Sequence, residues 1–139
     1  MDFDLPVLRV MTANPVTVQA RQHVNEARTL LAAESIHHLP VVEDDRLVGI
    51  ISSSDIVKLG MALHDGPADG PGGVEDDSYT VDAVMHRHPI AVGVDATVRE
   101  AARILATGGF HSLPVVGYNN ILKGIVTSTD LINLLIKRL

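Results

Sequence analysis

The sequence predicts an α/β protein made of one β-α-β-β-α unit used twice. The first observation behind this is an internal repeat. With Met11 set on Met85, an offset of 74, Val7 meets Val81, Pro15 meets Pro89, Val18 meets Val92, Val24 meets Val98 and His37 meets His111. In the same register Leu39-Pro40-Val41-Val42 meets Leu113-Pro114-Val115-Val116. One extra residue in the following loop makes the offset 75, which sets Gly49 on Gly124 and Asp55 on Asp130. The second observation is local: in each copy, short β-branched runs alternate with stretches whose apolar residues recur every three or four positions. Two copies are too few to stack as a solenoid, so a two-fold pair within one chain is expected.

The elements follow in order. The lead-in to residue 10 carries Phe3, Leu5, Val7, Leu8 and Val10 and is expected to pack on the core. Its counterpart begins at Thr80, a residue placed to cap a short helix, where the first copy has Pro6. Pro15-Val16-Thr17-Val18 reads as a short strand. A helix is expected over 21–35, with Val24, Ala27, Leu30 and Leu31 on one face; Val98, Ala101, Ala102 and Leu105 form the equivalent face. Thr97 with Glu100 reads as a capping box, whereas His23 at the matching place starts its helix less firmly. Gly108 and Gly109 end the second helix. A buried strand over 39–42 is expected to turn at Glu43-Asp44-Asp45 and pair back over 46–51, the second copy using the longer turn Gly117-Tyr118-Asn119-Asn120. A last helix closes each copy, from Ser54 or Asp55 to about residue 63 and from about residue 129 to the end; there Lys137 and Arg138 suit the helix dipole. Residues 64–79 open with a stretch rich in Gly, Pro and Asp and without period, so the repeats are expected at 7–63 and 80–139 with a linker between.

Composition narrows the function classes. Of 139 residues, 46% are hydrophobic and only 3% aromatic, so the core must be aliphatic. The absence of Cys excludes disulfides, thiolate nucleophiles and cysteine-based zinc sites. A net charge of −6 argues against a nucleic-acid surface. No apolar run approaches the roughly 18 residues of a membrane span, and the start Met-Asp-Phe-Asp lacks the basic region of a signal peptide. A cytoplasmic protein without a nucleic-acid or membrane partner is expected.

The chemistry concentrates in Gly49-Ile50-Ile51-Ser52-Ser53-Ser54-Asp55 and its copy Gly124-Ile125-Val126-Thr127-Ser128-Thr129-Asp130. Each reads as a strand running into a helix, whose opening N–H groups face outward and favour an anion. Ser52 and Thr127 are placed to donate to a phosphate, Asp55 and Asp130 to accept from a ribose diol. Plain helix capping is the competing role for the same residues. No G-x-S-x-G setting surrounds Ser52–Ser54 and no acid–base pair stands out, so no catalytic residue is assigned. His86-Arg87-His88, read as flanking a helix end, and His37-His38 match no zinc spacing, and no metal site is assigned.

This order of signals resembles the CBS domain, named after cystathionine β-synthase, here in tandem. The marks are Val-Met before the first strand, the Leu-Pro-Val-Val strand, and Gly, two apolar residues, Ser or Thr, and Asp three positions on. The resemblance implies two repeats packed about a pseudo-two-fold axis. Clefts between them would take AMP, ADP, ATP or S-adenosylmethionine as a regulatory ligand, with no cofactor required. It implies that Ser52 with Asp55, and Thr127 with Asp130, hold phosphate and ribose. Ile36, Phe110, Pro15 and Pro89 would lie near the base, the backbone around Thr80 would reach the adenine, and His37, His38 and His111 would face phosphate. Many relatives carry Arg where His38 and Ser112 stand, which implies a weaker hold on a triphosphate here. A stand-alone pair, a homodimer formed through the closing helices and an unknown regulated protein complete the expectation. The alternatives are a protein-interaction module that binds no nucleotide and a metal-responsive histidine sensor.

Overall fold

The computed structural model describes residues 4–63 and 79–139, so the linker stretch, apart from Tyr79, lies outside the described residues. The chain forms two compact units whose borders do not follow the repeats: Val16–Pro89 is one, and residues 4–15 with Ile90–Leu139 are the other. Residues 4–15 hold a 3-10 turn (Val7–Arg9) and a two-residue strand, β1 (Thr12–Ala13).

The unit Val16–Pro89 contains β2 (Val18–Gln19), α1 (Val24–Glu34), β3 (His38–Glu43), β4 (Arg46–Ser52), α2 (Ser53–Leu63), α3 (Val81–Val84) and β5 (His86–Arg87). Its sheet runs β2-β3-β4-β5, with β2 and β3 parallel and the other pairs antiparallel. Along β4, Leu47, Gly49 and Ile51 point inward and alternate with half-buried residues, as the two-residue pleat requires. Ile51 meets Val24, Ala27 and Leu31 of α1, Ile56 of α2, Val81 of α3 and Met85 in one aliphatic core. Asp44 and Asp45 join β3 to β4 with φ of 50° and 64°, the left-handed pair that a two-residue hairpin turn demands.

Three expectations change here. The helix begins at Val24 and not at residue 21, because the lead-in of the second repeat lies against residues 20–24. Val24 donates to the Tyr79 carbonyl at 2.9 Å, Val81 donates to the Gln22 carbonyl at 2.8 Å, and Thr80 bridges His23. The strand expected over 15–18 is Val18–Gln19, the two residues that find partners in Val41 and Val42. His86 lies on a strand, not at a helix end, and His88 follows it with φ of 51°.

The second unit repeats the plan with β6 (Val92–Gly93), α4 (Val98–Leu105), β7 (Ser112–Val116), β8 (Leu122–Thr127) and α5 (Ser128–Arg138). Its sheet runs β1-β8-β7-β6. Thr97 accepts from the Glu100 N–H at 3.2 Å and caps α4, while His23 makes no such bond to α1. The core gathers Val7, Val92, Ala101, Leu105, Leu113, Val115 and Val126.

Each sheet is therefore closed by a strand from the other repeat. β5 pairs with β4 (Gly49 opposite Arg87), and β1 pairs with β8 (Gly124 opposite Ala13). The glycine of the repeated motif and the methionine of the lead-in are the two halves of one contact. A side-chain carbon at Gly49 would press on the Met85 sulfur and lie 2.8 Å from the His86 carbonyl oxygen. At Gly124 it would press on Met11 and lie 2.8 Å from the Thr12 carbonyl.

Candidate ligand-binding turns

In each unit the strand β4 or β8 runs directly into its helix, and the junction is tied by a reciprocal pair of bonds. Asp55 Oδ2 accepts from the Ser52 N–H at 2.8 Å, and Ser52 Oγ accepts from the Asp55 N–H at 3.1 Å. Asp130 and Thr127 make the same pair at the same two distances. These are capping boxes, so the capping role is realised at both turns. The first helical N–H is also taken: Ser53 donates to the His37 carbonyl at 3.0 Å and Ser128 to the His111 carbonyl at 2.9 Å. The opening turn is thus not a free cluster of N–H donors. Among the described residues, only the amides of Ser54 and Thr129 in these two turns lack a protein acceptor.

What the turn still offers is specific. Ser52 Oγ and Thr127 Oγ1 each accept from a backbone N–H, which leaves their own protons to donate elsewhere. Each aspartate uses one oxygen for the cap and keeps a second with accepting capacity. At Asp55 that second oxygen, Oδ1, lies 3.0 Å from His86 Nε2. At Asp130 no protein group among the described residues meets it. The pairing with His86 was not visible in the sequence, where the two residues lie far apart and no motif links them.

The remaining expected residues divide between the units. Ile36, His37, His38, Thr80 and Pro89 belong with Ser52 and Asp55; Phe110, His111 and Pro15 belong with Thr127 and Asp130. His37 and His111 carry exposed side chains, while His38 is half-buried opposite Ser52 in the β3–β4 pairing. Ile36 and Phe110 are half-buried, each packed against the core of its own unit. Thr80 stands at the start of α3, but its hydroxyl donates to Asp82 and does not cap the helix. A groove of about 450 Å³ between α1 and α2 is lined by Arg28, Leu31, Ile36, His37, Ser53 and Ile56 among others; Ser52 and Asp55 do not line it. Ile36 and His37 thus share one cavity with each other but not with the capping pair. No group of three or more His, Cys, Asp or Glu side chains among the described residues converges on a point where a metal would sit.

The order of groups also bears on catalysis. Asp55 lies between Ser52 and His86, so the histidine is bonded to the carboxylate's far oxygen and not to the hydroxyl. A serine nucleophile needs the base in the middle.

The family model of the CBS domain matches residues 7–62 and 81–137. The chain belongs to the CBS domain family. It is a CBS pair, with one match in each repeat. A CBS domain-containing protein of Dictyostelium discoideum is 32% identical over 133 residues, 94% of this chain and 91% of that one. The inosine-5′-monophosphate dehydrogenase of Korarchaeum cryptofilum is 33% identical over 115 residues, which is 83% of this CBS pair but 21% of the dehydrogenase. The chain spans between about a fifth and under a half of the first curated relatives that it matches. Among solved structures, the CBS-pair protein CBSX2 of Arabidopsis thaliana, in complex with AMP, has a TM-score of 0.80 at 28% identity and covers 96% of this chain and 97% of that one. A CBS domain pair in complex with 5′-methylthioadenosine and S-adenosyl-L-methionine has a TM-score of 0.78 at 27% identity, covering 96% and 98%. CBS pairs similar to this one thus hold adenosine-derived ligands. No helix among the described residues is long and apolar enough to cross a membrane.

Proposed function

We propose that this CBS pair is a regulatory module that takes an adenosine-derived ligand at its two capping turns and signals occupancy to a partner protein in the cytoplasm. The observation that carries this reading is the state of the turns after capping. Each retains one hydroxyl proton, on Ser52 or Thr127, and one carboxylate oxygen, on Asp55 or Asp130, beyond those the cap consumes. A donor beside an acceptor suits a phosphate beside a ribose diol. The AMP bound to CBSX2 and the sulfonium and thioether nucleosides of the other pair support the ligand class. His37, His38 and His111 are proposed to face phosphate, and Ile36, Phe110, Pro15, Pro89 and the backbone at Thr80 to border the base. The test is a thermal melt with AMP, ADP, ATP and S-adenosylmethionine. A ligand at 100 times its dissociation constant stabilises by about 2.7 kcal/mol, a rise of roughly 5–10 °C for a chain of this size. No shift with any of the four at millimolar concentration rejects the reading.

The same module is proposed to act as a homodimer. α5 exposes Ile132, Leu135 and Ile136, with Leu139 beyond its end, and α2 exposes Val57 and Met61. Apolar helix faces of this kind favour a protein cover over water. Light scattering at tens of micromolar should give twice the chain mass; the mass of a single chain rejects the dimer.

A further inference from the structure

We propose that His86 makes the two capping turns unequal ligand sites, because it holds the carboxylate oxygen of Asp55 that Asp130 leaves open. The inference rests on the reading that these aspartates accept from a ribose diol. In the unit Val16–Pro89, β5 lays His86 opposite Ile50 and brings its Nε2 to 3.0 Å from Asp55 Oδ1. The other oxygen already accepts from the Ser52 N–H. Both oxygens of this carboxylate therefore have a protein partner. In the second unit β1 lays Thr12 opposite Ile125, the same register of the repeat. Asp130 uses Oδ2 for the Thr127 N–H, and among the described residues no side chain meets its Oδ1. Exposure follows the same division, with Asp55 buried and Asp130 half-buried.

The cover over Asp55 is removable. The His86 side chain is 73% exposed, so the imidazole can swing into water with little loss of packing. A diol reaching Asp55 must displace it, whereas a diol reaching Asp130 displaces water. A hydrogen bond between an imidazole in water and a buried carboxylate is worth about a fivefold change in an equilibrium. The turn at Asp130 fills first, and the turn at Asp55 follows at about fivefold higher ligand concentration. The identity of one residue, His86 against Thr12, sets that order.

The experiment is calorimetric titration of the full chain with AMP and with adenosine, for the wild type, His86→Thr and Thr12→His, beside a ligand-free melt of each. The wild type should give two dissociation constants about fivefold apart. His86→Thr should bring them together by tightening the weaker one, and Thr12→His should weaken the tighter one, with ligand-free melting temperatures moving by no more than the few degrees that one such contact is worth. Two constants that His86→Thr leaves where they were overturn the inference while the ligand reading stands. No binding of either probe by any variant overturns the inference, and the melt with all four ligands decides the ligand reading separately. A ligand-free measurement tests the contact directly. In the nitrogen–proton NMR spectrum of the imidazoles, Asp55→Asn, which keeps an acceptor for the Ser52 N–H, should move the His86 Nε2 resonance and leave His88 in place. An unmoved His86 resonance overturns the inference as well.

Discussion

Gly49 and Gly124 stand where the chain has no room for a side chain. Their backbones are in ordinary extended strands, so conformational freedom is not the reason for glycine; the reason is the neighbouring strand. A methyl group at either place meets a backbone carbonyl at 2.8 Å, and a carbonyl within a sheet ladder cannot move aside as a side chain can. Gly49→Ala and Gly124→Ala should each cost about 1–3 kcal/mol, the usual penalty of overpacking, measured by urea denaturation. In a double-mutant cycle Gly49→Ala should cost less in a Met85→Ala background than in the wild type but still cost something, because Met85→Ala removes the sulfur contact and leaves the carbonyl. A cost that vanishes in that background would mean that the methionine, and not the strand, sets the limit. The aspartates show the opposite economy. One carboxylate oxygen builds the cap and the other lies outside it, held by His86 at Asp55, so the capping and binding roles weighed for these residues in the sequence do not compete for the same atom.

Among the elements, the two copies of one helix end differently. α1 stops at Ser35, held at φ of 53°, a conformation that costs an L-residue about 1–2 kcal/mol. The second copy places Gly108 and Gly109 just past α4, at φ of 80° and 91°. Ser35→Gly relieves the steric cost but adds chain entropy to the unfolded state. The balance should be a gain of about 0.5 kcal/mol, seen as a rise of about 2 °C in the melt; a fall would show that the Ser35 side chain is bonded into the groove. The long elements were legible in the sequence because their signals are local: apolar residues on one face of α1 and α4, β-branched runs in β3 and β7, and a Thr97–Glu100 cap. The two-residue strands β1 and β5 were not. Two paired residues have no period to detect, and of Thr12–Ala13 and His86–Arg87 only Thr12 favours a strand. Without β5 in view, nothing set His86 beside Asp55.

For the whole molecule, the exchange of lead-ins decides what can be cut. Val81 and Met85 are buried in the core that contains β3 and β4, and Val7 is buried in the core that contains β7 and β8. The sequence could not reveal this, since the lead-ins are near copies, Val7 matching Val81 and Met11 matching Met85, and each would suit either sheet. A fragment of residues 4–63 holds one whole repeat but loses β5, α3 and two core side chains. A fragment of residues 16–89 keeps the complete sheet of its unit. The second should give the helical circular dichroism and a cooperative melt that the first lacks; equal order in the two would mean that the borrowed strand is dispensable.

The traded strands also impose a rule of parity. A repeat of this kind owns a sheet that is one strand short and carries a strand that its own sheet does not use. Two repeats cancel each other's deficit; a third would add one open edge and one unclaimed strand. An open edge with unpaired N–H and C=O groups is a template for a neighbouring chain. Any lengthening of this chain by the same repeat stays soluble as separate molecules only at even counts, and an odd count must complete itself from another copy.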